Sequence, residues 1–298
     1  MLAVIGTVPE KDFPLVAIGV TLAGDELCIA QRRVRVSRGT MALLAAAIQA
    51  GKVLGKEEVL AYLVGDIGRG EGSRRLYEYL RAHIGRSECS TLVFHYLQPD
   101  IDGHNRVLLA IQEMEKRPIL IADAGYMYAA KMSGQSPEYD LFTPDVGELA
   151  FLADEAAPHP FYTRGFILHD ENRIPELIAR AYAHENAARF LLVKGRIDYL
   201  ANREGIQATV QEPSIEALEA IGGTGDTLTG IAAALIAAGQ NVPTAAIAAA
   251  RVNRLAGLYA DPTPGTSVGE IMAHIPRSLE EVLREMERGN EPLRGGRR

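Results

Sequence analysis

Between residues 59 and 193, short apolar runs alternate with longer stretches of helical period, and this alternation constrains the fold more than any other feature. Residues 59–64, 91–97, 118–122, 140–142 and 190–193 read as strands. Residues 73–83, 104–115, 146–154 and 173–186 read as helices. Strands that are apolar throughout, rather than on every second residue, belong to a parallel sheet covered on both faces. The expected fold is therefore α/β, a three-layer αβα arrangement with a central, mostly parallel sheet. Before it come two strand-like segments, 14–21 and 27–36, and a helix at 41–50 with Thr40 as a cap. After it come a hairpin, 198–201 against 207–210, and roughly ninety residues that are helical almost throughout. There is no internal repeat and no Pro/Ser/Gly linker. A single domain over 1–288 with a flexible tail at 289–298 is expected.

Composition excludes several classes. The 298 residues carry 31 Lys+Arg against 38 Asp+Glu, a net charge of −7. A general nucleic-acid binder needs a basic face, so nucleic acid is not an expected partner. Cys28 and Cys89 form no paired ligand spacing. The first residues lack the basic region of a secretory signal, and no apolar run reaches the ~18 residues of a spanning helix. A cytoplasmic protein with no membrane partner is expected.

The strongest chemical signal is 221–227, IGGTGDT, ahead of an all-apolar helix at 228–238. Glycines let the backbone turn tightly and offer several N–H groups to one anion, and a buried helix start adds its dipole. Asp226 stands beside that anion hole, where a carboxylate can take the proton of an attacking hydroxyl. The plainer reading is a helix start capped by Thr224 and Asp226. Asp145 and Glu148, after Thr143-Pro144, make a good helix start, with a capping side chain and an acidic N3 residue. Lys194 ends a strand and is either solvated or ligand-facing.

The glycine-rich stretch 65–73 follows a strand and opens a helix, but it fails both the dinucleotide fingerprint and the P-loop pattern. It reads as a turn able to approach a ligand. The seven histidines make no metal-binding pattern. His95 and His104 flank the turn 98–103, whose Asp100 and Asp102 read as loop caps. Residues 126–128, YMY, read as packing.

Several of these segments together resemble the ribokinase-like NAD(P)H-hydrate dehydratases. Residues 222–239, GGTGDTLTGIAAALIAAG, are similar to that family's GGxGDxLxG signature. Residues 191–195 resemble its KG strand end, 141–149 its TPHPGE segment, 121–125 its DAD, 64–70 its GPGLG loop, and 38–46 its first helix start. Asp145 stands where the family has histidine, Gly125 where it has a second aspartate, and 91–115 reads as an additional strand–helix unit. The resemblance implies Asp226 as catalytic base and Gly222, Gly223, Thr224 and Gly225 as the anion hole. It places Lys194, Gly195, Thr143, Asp145 and Glu148 near the nucleotide, with Glu148 reaching Mg²⁺ through water. It sets Gly39, Asp66, Gly68 and Asp123 around the substrate. The implied reaction is ATP- or ADP-dependent dehydration of NAD(P)H hydrate. A small-molecule kinase for a sugar or vitamin-precursor alcohol, and a non-catalytic nucleotide sensor, are the alternatives. A homo-oligomer is compatible with the Ala-rich C-terminal helices.

Overall fold

The computed structural model describes residues 1–154 and 173–290. Eleven strands form one sheet: β1 Leu2–Val8, β2 Val16–Ala23, β3 Glu26–Ile29, β4 Arg32–Arg35, β5 Val59–Gly65, β6 Thr91–His95, β7 Ile119–Asp123, β8 Leu141–Phe142, β9 Phe190–Val193, β10 Asp198–Asn202 and β11 Gly205–Val210. Their order is β11-β10-β9-β8-β7-β6-β1-β5-β2-β3-β4. The strands from β9 through β5 are mutually parallel, and antiparallel hairpins extend the sheet at both edges.

The helices are α1 Thr40–Val53, α2 Glu71–His83, α3 Ile101–Gln112, α4 Gly125–Met132, α5 Val146–Ala153, α6 Ile174–Ala183, α7 Thr224–Ala237, α8 Val242–Ala260, α9 Val268–Met272 and α10 Ile275–Asn290. Two buried clusters explain the layering. Helices α1 and α7–α10 cover one face of the sheet, and α2–α6 cover the other. β1 feeds both: Leu2, Val4 and Val8 enter the first cluster, and Ala3 and Ile5 the second. This is the period-two alternation of a strand buried on both sides.

The mostly parallel three-layer expectation holds, with four differences. Residues 2–8, not expected as a strand, form β1 at the centre of the sheet. The strand expected at 27–36 is two, broken where Ala30 takes φ +55°. Helix α4 is additional, and its Tyr126 is fully buried among aromatic rings, as packing requires. Helix α10 runs on to Asn290, into the expected tail, whose residues 291–298 lie outside the described residues. Among the described residues no helix is long and apolar enough to cross a membrane.

One close approach sets where two helix starts meet. Helices α1 and α7 lie so near each other that a Cβ on Gly230 would fall 2.2 Å from the Leu43 carbonyl oxygen. Only glycine permits that approach, and it brings the start of α7 to the start of α1.

Candidate active site

The carboxyl ends of β6, β7 and β9 and the starts of α5 and α7 surround a cavity of about 550 Å³. This is where open α/β sheets bind ligands. Asp226 sits in the first turn of α7, its side chain 13% exposed. One carboxylate oxygen, Oδ2, accepts the Gly39 N–H at 2.6 Å, and the other, Oδ1, lies 3.0 Å from His95 Nε2. His95 is fully buried at the end of β6, and its Nδ1 is 3.0 Å from Thr40 Oγ1. Burial pushes the Asp226 carboxyl up. The hydrogen bond and charge of His95, the Lys194 ammonium and the Gly39 N–H outweigh burial and hold it below its ordinary value. Asp226 is thus an ionised, oriented carboxylate at neutral pH.

Glycine shapes the start of α7. Gly223 takes φ +103°, and no side chain caps the helix. Its first N–H groups have no intrahelical partner, so they and the helix dipole favour an anion there. Asn253 braces this turn from α8, donating to the Thr224 carbonyl at 3.0 Å and accepting from Thr227 Oγ1 at 2.7 Å.

On the other side, Lys194 Nζ donates to both oxygens of Asp123 at 2.9 Å. Asp123 also accepts from Thr229 Oγ1 at 2.7 Å, and Thr143 Oγ1 lies 3.0 Å from the same hydroxyl. Burial alone would lower the Lys194 pKa, but Asp123, Glu148 and Asp226 outweigh it and push it up. Lys194 therefore remains a cation on the cavity wall, its stem lying against Gly225. Asp145 and Glu148 form a complete capping box on α5, with bonds of 2.7 and 2.8 Å. Burial first, then the charges of Asp145 and Asp123, push the Glu148 carboxyl well up. Arg254 fastens the floor: it pairs with Asp198 at 2.8 Å and donates to the carbonyls of Gly195 and Arg196, each at 2.9 Å.

The structure thus brings Asp226, Gly223, Thr224, Gly225, Lys194, Gly195, Asp145, Glu148 and Asp123 to one cavity, with Gly39 on Asp226 and Thr143 behind Asp123. Gly222, exposed, precedes them in the turn. Asp66 and Gly68 do not line it. Asp66 turns into its own loop, accepting N–H bonds from Gly68, Arg69, Gly70 and Ser73. The reason is topological: β1 and β6 separate β5 from β7, so the loop after β6 reaches the cavity instead. The unit at 91–115 is accordingly no peripheral addition. It supplies His95, which the sequence marks only as a neighbour of a turn. Asp100, by contrast, caps α3 through the Gly103 N–H, as expected.

Residues 101–277 match the profile of the NAD(P)H-hydrate dehydratase family. An uncharacterized protein of Methanocaldococcus jannaschii is 39% identical over 243 residues, 81% of this chain and 100% of that protein. The ADP-dependent (S)-NAD(P)H-hydrate dehydratase of Cenarchaeum symbiosum is 29% identical over 162 residues, 54% of this chain and 50% of its own length. The match therefore spans half of that relative. The ADP/ATP-dependent NAD(P)H-hydrate dehydratase of Bacillus subtilis, co-crystallised with ATP and Mg²⁺, has a TM-score of 0.57 over 94% of this chain and 89% of its own, at 16% identity. That likeness carries the ribokinase-like fold. With more than half of its residues matched to the profile, the chain belongs to the NAD(P)H-hydrate dehydratase family of enzymes.

Proposed function

We propose that this enzyme uses ADP or ATP to dehydrate NAD(P)H hydrate, with Asp226 as the general base. The observation that carries the reading is the pairing of an ionised, doubly held carboxylate with the uncapped, glycine-shaped helix start in whose first turn it sits. The terminal phosphoryl group of the nucleotide rests against the N–H groups of Gly222, Gly223, Thr224 and Gly225. The hydrate's hydroxyl faces Asp226, which accepts its proton as the oxygen attacks phosphorus and the bond from that phosphorus to the rest of the nucleotide breaks, releasing AMP from ADP or ADP from ATP. The new C–O–P link then breaks, phosphate departs with the bonding pair, and loss of a proton from the adjacent carbon restores the ring double bond. Lys194, anchored by Asp123, keeps one positive charge beside the transferring group throughout.

Magnesium fits the opposite wall. Asp145 and Glu148 are hard oxygen donors, and each spends one oxygen on the capping box. A cation there would offset the burial and the neighbouring carboxylate charges that push the Glu148 carboxyl up. Glu148, through water, and Asp145 are the residues that would hold it. When bound, the ion neutralises charge on the nucleotide's phosphates. A soluble nicotinamide substrate and a nucleotide suit a cytoplasmic setting.

The test is recovery of dihydronicotinamide absorbance from the hydrate, with ADP and ATP supplied separately. Recovery with at least one nucleotide is expected. A stable phosphorylated product would make the enzyme a kinase, and no turnover with either nucleotide would remove the reading.

A further inference from the structure

We infer that Tyr96 is a platform for the nicotinamide-derived ring of the substrate and so a specificity-determining residue of this site. The inference rests on the proposed reaction and names the side chain that recognises the nicotinamide end.

Tyr96 follows His95 directly and takes φ +53°. For a bulky aromatic residue this left-handed backbone is an outlier, and such strain persists where the surroundings impose it, often at functional sites. The imposing contact is visible: Thr7 Oγ1, on the central strand, donates to the Tyr96 carbonyl at 2.9 Å. The strand beside it ends the same way, with Ala124 at φ +52° immediately after Asp123. Each of these neighbouring strands thus ends in a buried polar side chain followed by a strained residue on the cavity wall. At one position that residue is a methyl; at the other it is a phenol.

The ring does not serve the core. Tyr126 and Tyr139 are 0% and 1% exposed, whereas Tyr96 is 50% exposed. It meets His95 edge-on, with centroids 4.4 Å apart and planes at 88°. A Cβ on Gly39 would lie 3.7 Å from Tyr96 Cε2. The ring is therefore braced from two sides by residues that hold Asp226, while half of it stays open at the cavity. The partly unsaturated ring of the hydrate laid on it would bury its apolar face against the open phenol ring. The hydrate's hydroxyl group would then stand near Asp226. Among the described residues the Tyr96 hydroxyl has no hydrogen-bond partner; the open face of the ring carries the role.

Three variants and one reporter test this. Tyr96→Gly relieves the backbone strain and removes the ring. It is expected to keep Tm at or above the wild-type value while raising KM for the hydrate about 3- to 10-fold, with nucleotide KM unchanged. Tyr96→Phe should keep KM within about 2-fold, and Tyr96→Ala should behave as Gly does in KM. The chain has no tryptophan, so Tyr96→Trp introduces a single indole emitter. Its emission should respond saturably to NADH and not to ADP. Unchanged KM in Tyr96→Gly, or an indole indifferent to NADH, would overturn the inference. If the wild type fails to dehydrate the hydrate but the indole responds, the proposed reaction falls and the ring platform stands.

Discussion

In the turn after β5, Asp66 folds back into its own loop and fills it. One carboxylate oxygen takes the N–H groups of Gly68, Arg69 and Gly70, and the other takes the N–H and hydroxyl of Ser73. In the turn before α7, Asp226 is drawn the other way, to His95 and Gly39, and no side chain caps the glycine turn. Both turns are glycine-rich, both open a helix and both carry an aspartate. In the first the protein supplies its own anion, so the nest is closed to another. In the second it holds its carboxylate aside, and in the proposed reading the N–H groups are left to a phosphate. Which way the aspartate faces, rather than how many glycines surround it, separates the closed turn from the one whose N–H groups lack a side-chain cap.

Substitutions should pull the two turns apart. Asp226→Asn is expected to lower turnover at least ~100-fold with nucleotide affinity nearly unchanged, measured by steady-state kinetics and nucleotide titration. Retained activity would show that another group is the base. Gly223→Ala comes next. Its Cβ would lie 3.2 Å from Arg38 Cα and the Ser37 carbonyl oxygen, at φ +103°, so nucleotide affinity should fall roughly 10-fold. Gly68→Ala is the control: its φ is +88° but nothing lies within 4 Å. It should cost about 1 kcal/mol of stability and leave kinetics alone.

Asp66→Ala strips the closed nest of its anion. It should destabilise the fold by about 2–4 kcal/mol while turnover per folded molecule is kept. Selective loss of nucleotide binding in that variant would break the comparison. The smallest effect is in acid. Burial raises the Asp66 carboxyl pKa, but the bonds from Ser73, Gly70 and Arg69 outweigh it and hold the group below its ordinary value. Its stabilising contribution is complete above about pH 4 and disappears as pH falls below that. Thermal melts should show a steeper acid loss for wild type than for Asp66→Asn.

Much of this was legible in the sequence because the signals are local. The strand–helix alternation, the hairpin and IGGTGDT each declare themselves within a few residues. His95 does not: its partner is Asp226, far along the chain, and a single histidine at a strand end has no spacing pattern to mark it. In the sequence it stands inside the strand expected at 91–97 and beside the turn 98–103, with nothing to mark it as a site residue. The ion pair of Asp123 with Lys194 was hidden for the same reason, although each residue was singled out separately. Residues 2–8 are apolar enough for a strand, yet nothing local says that they belong between β5 and β6.

That insertion governs how the chain assembles. β1 is synthesised before either of its neighbours, and both of them, β5 and β6, must emerge before it can be flanked. Until then an apolar ribbon with unpaired edges is open to pairing with other strands. Because Thr7 on that ribbon also grips Tyr96, the shape of the pocket's mouth depends on β1 and β6 being joined.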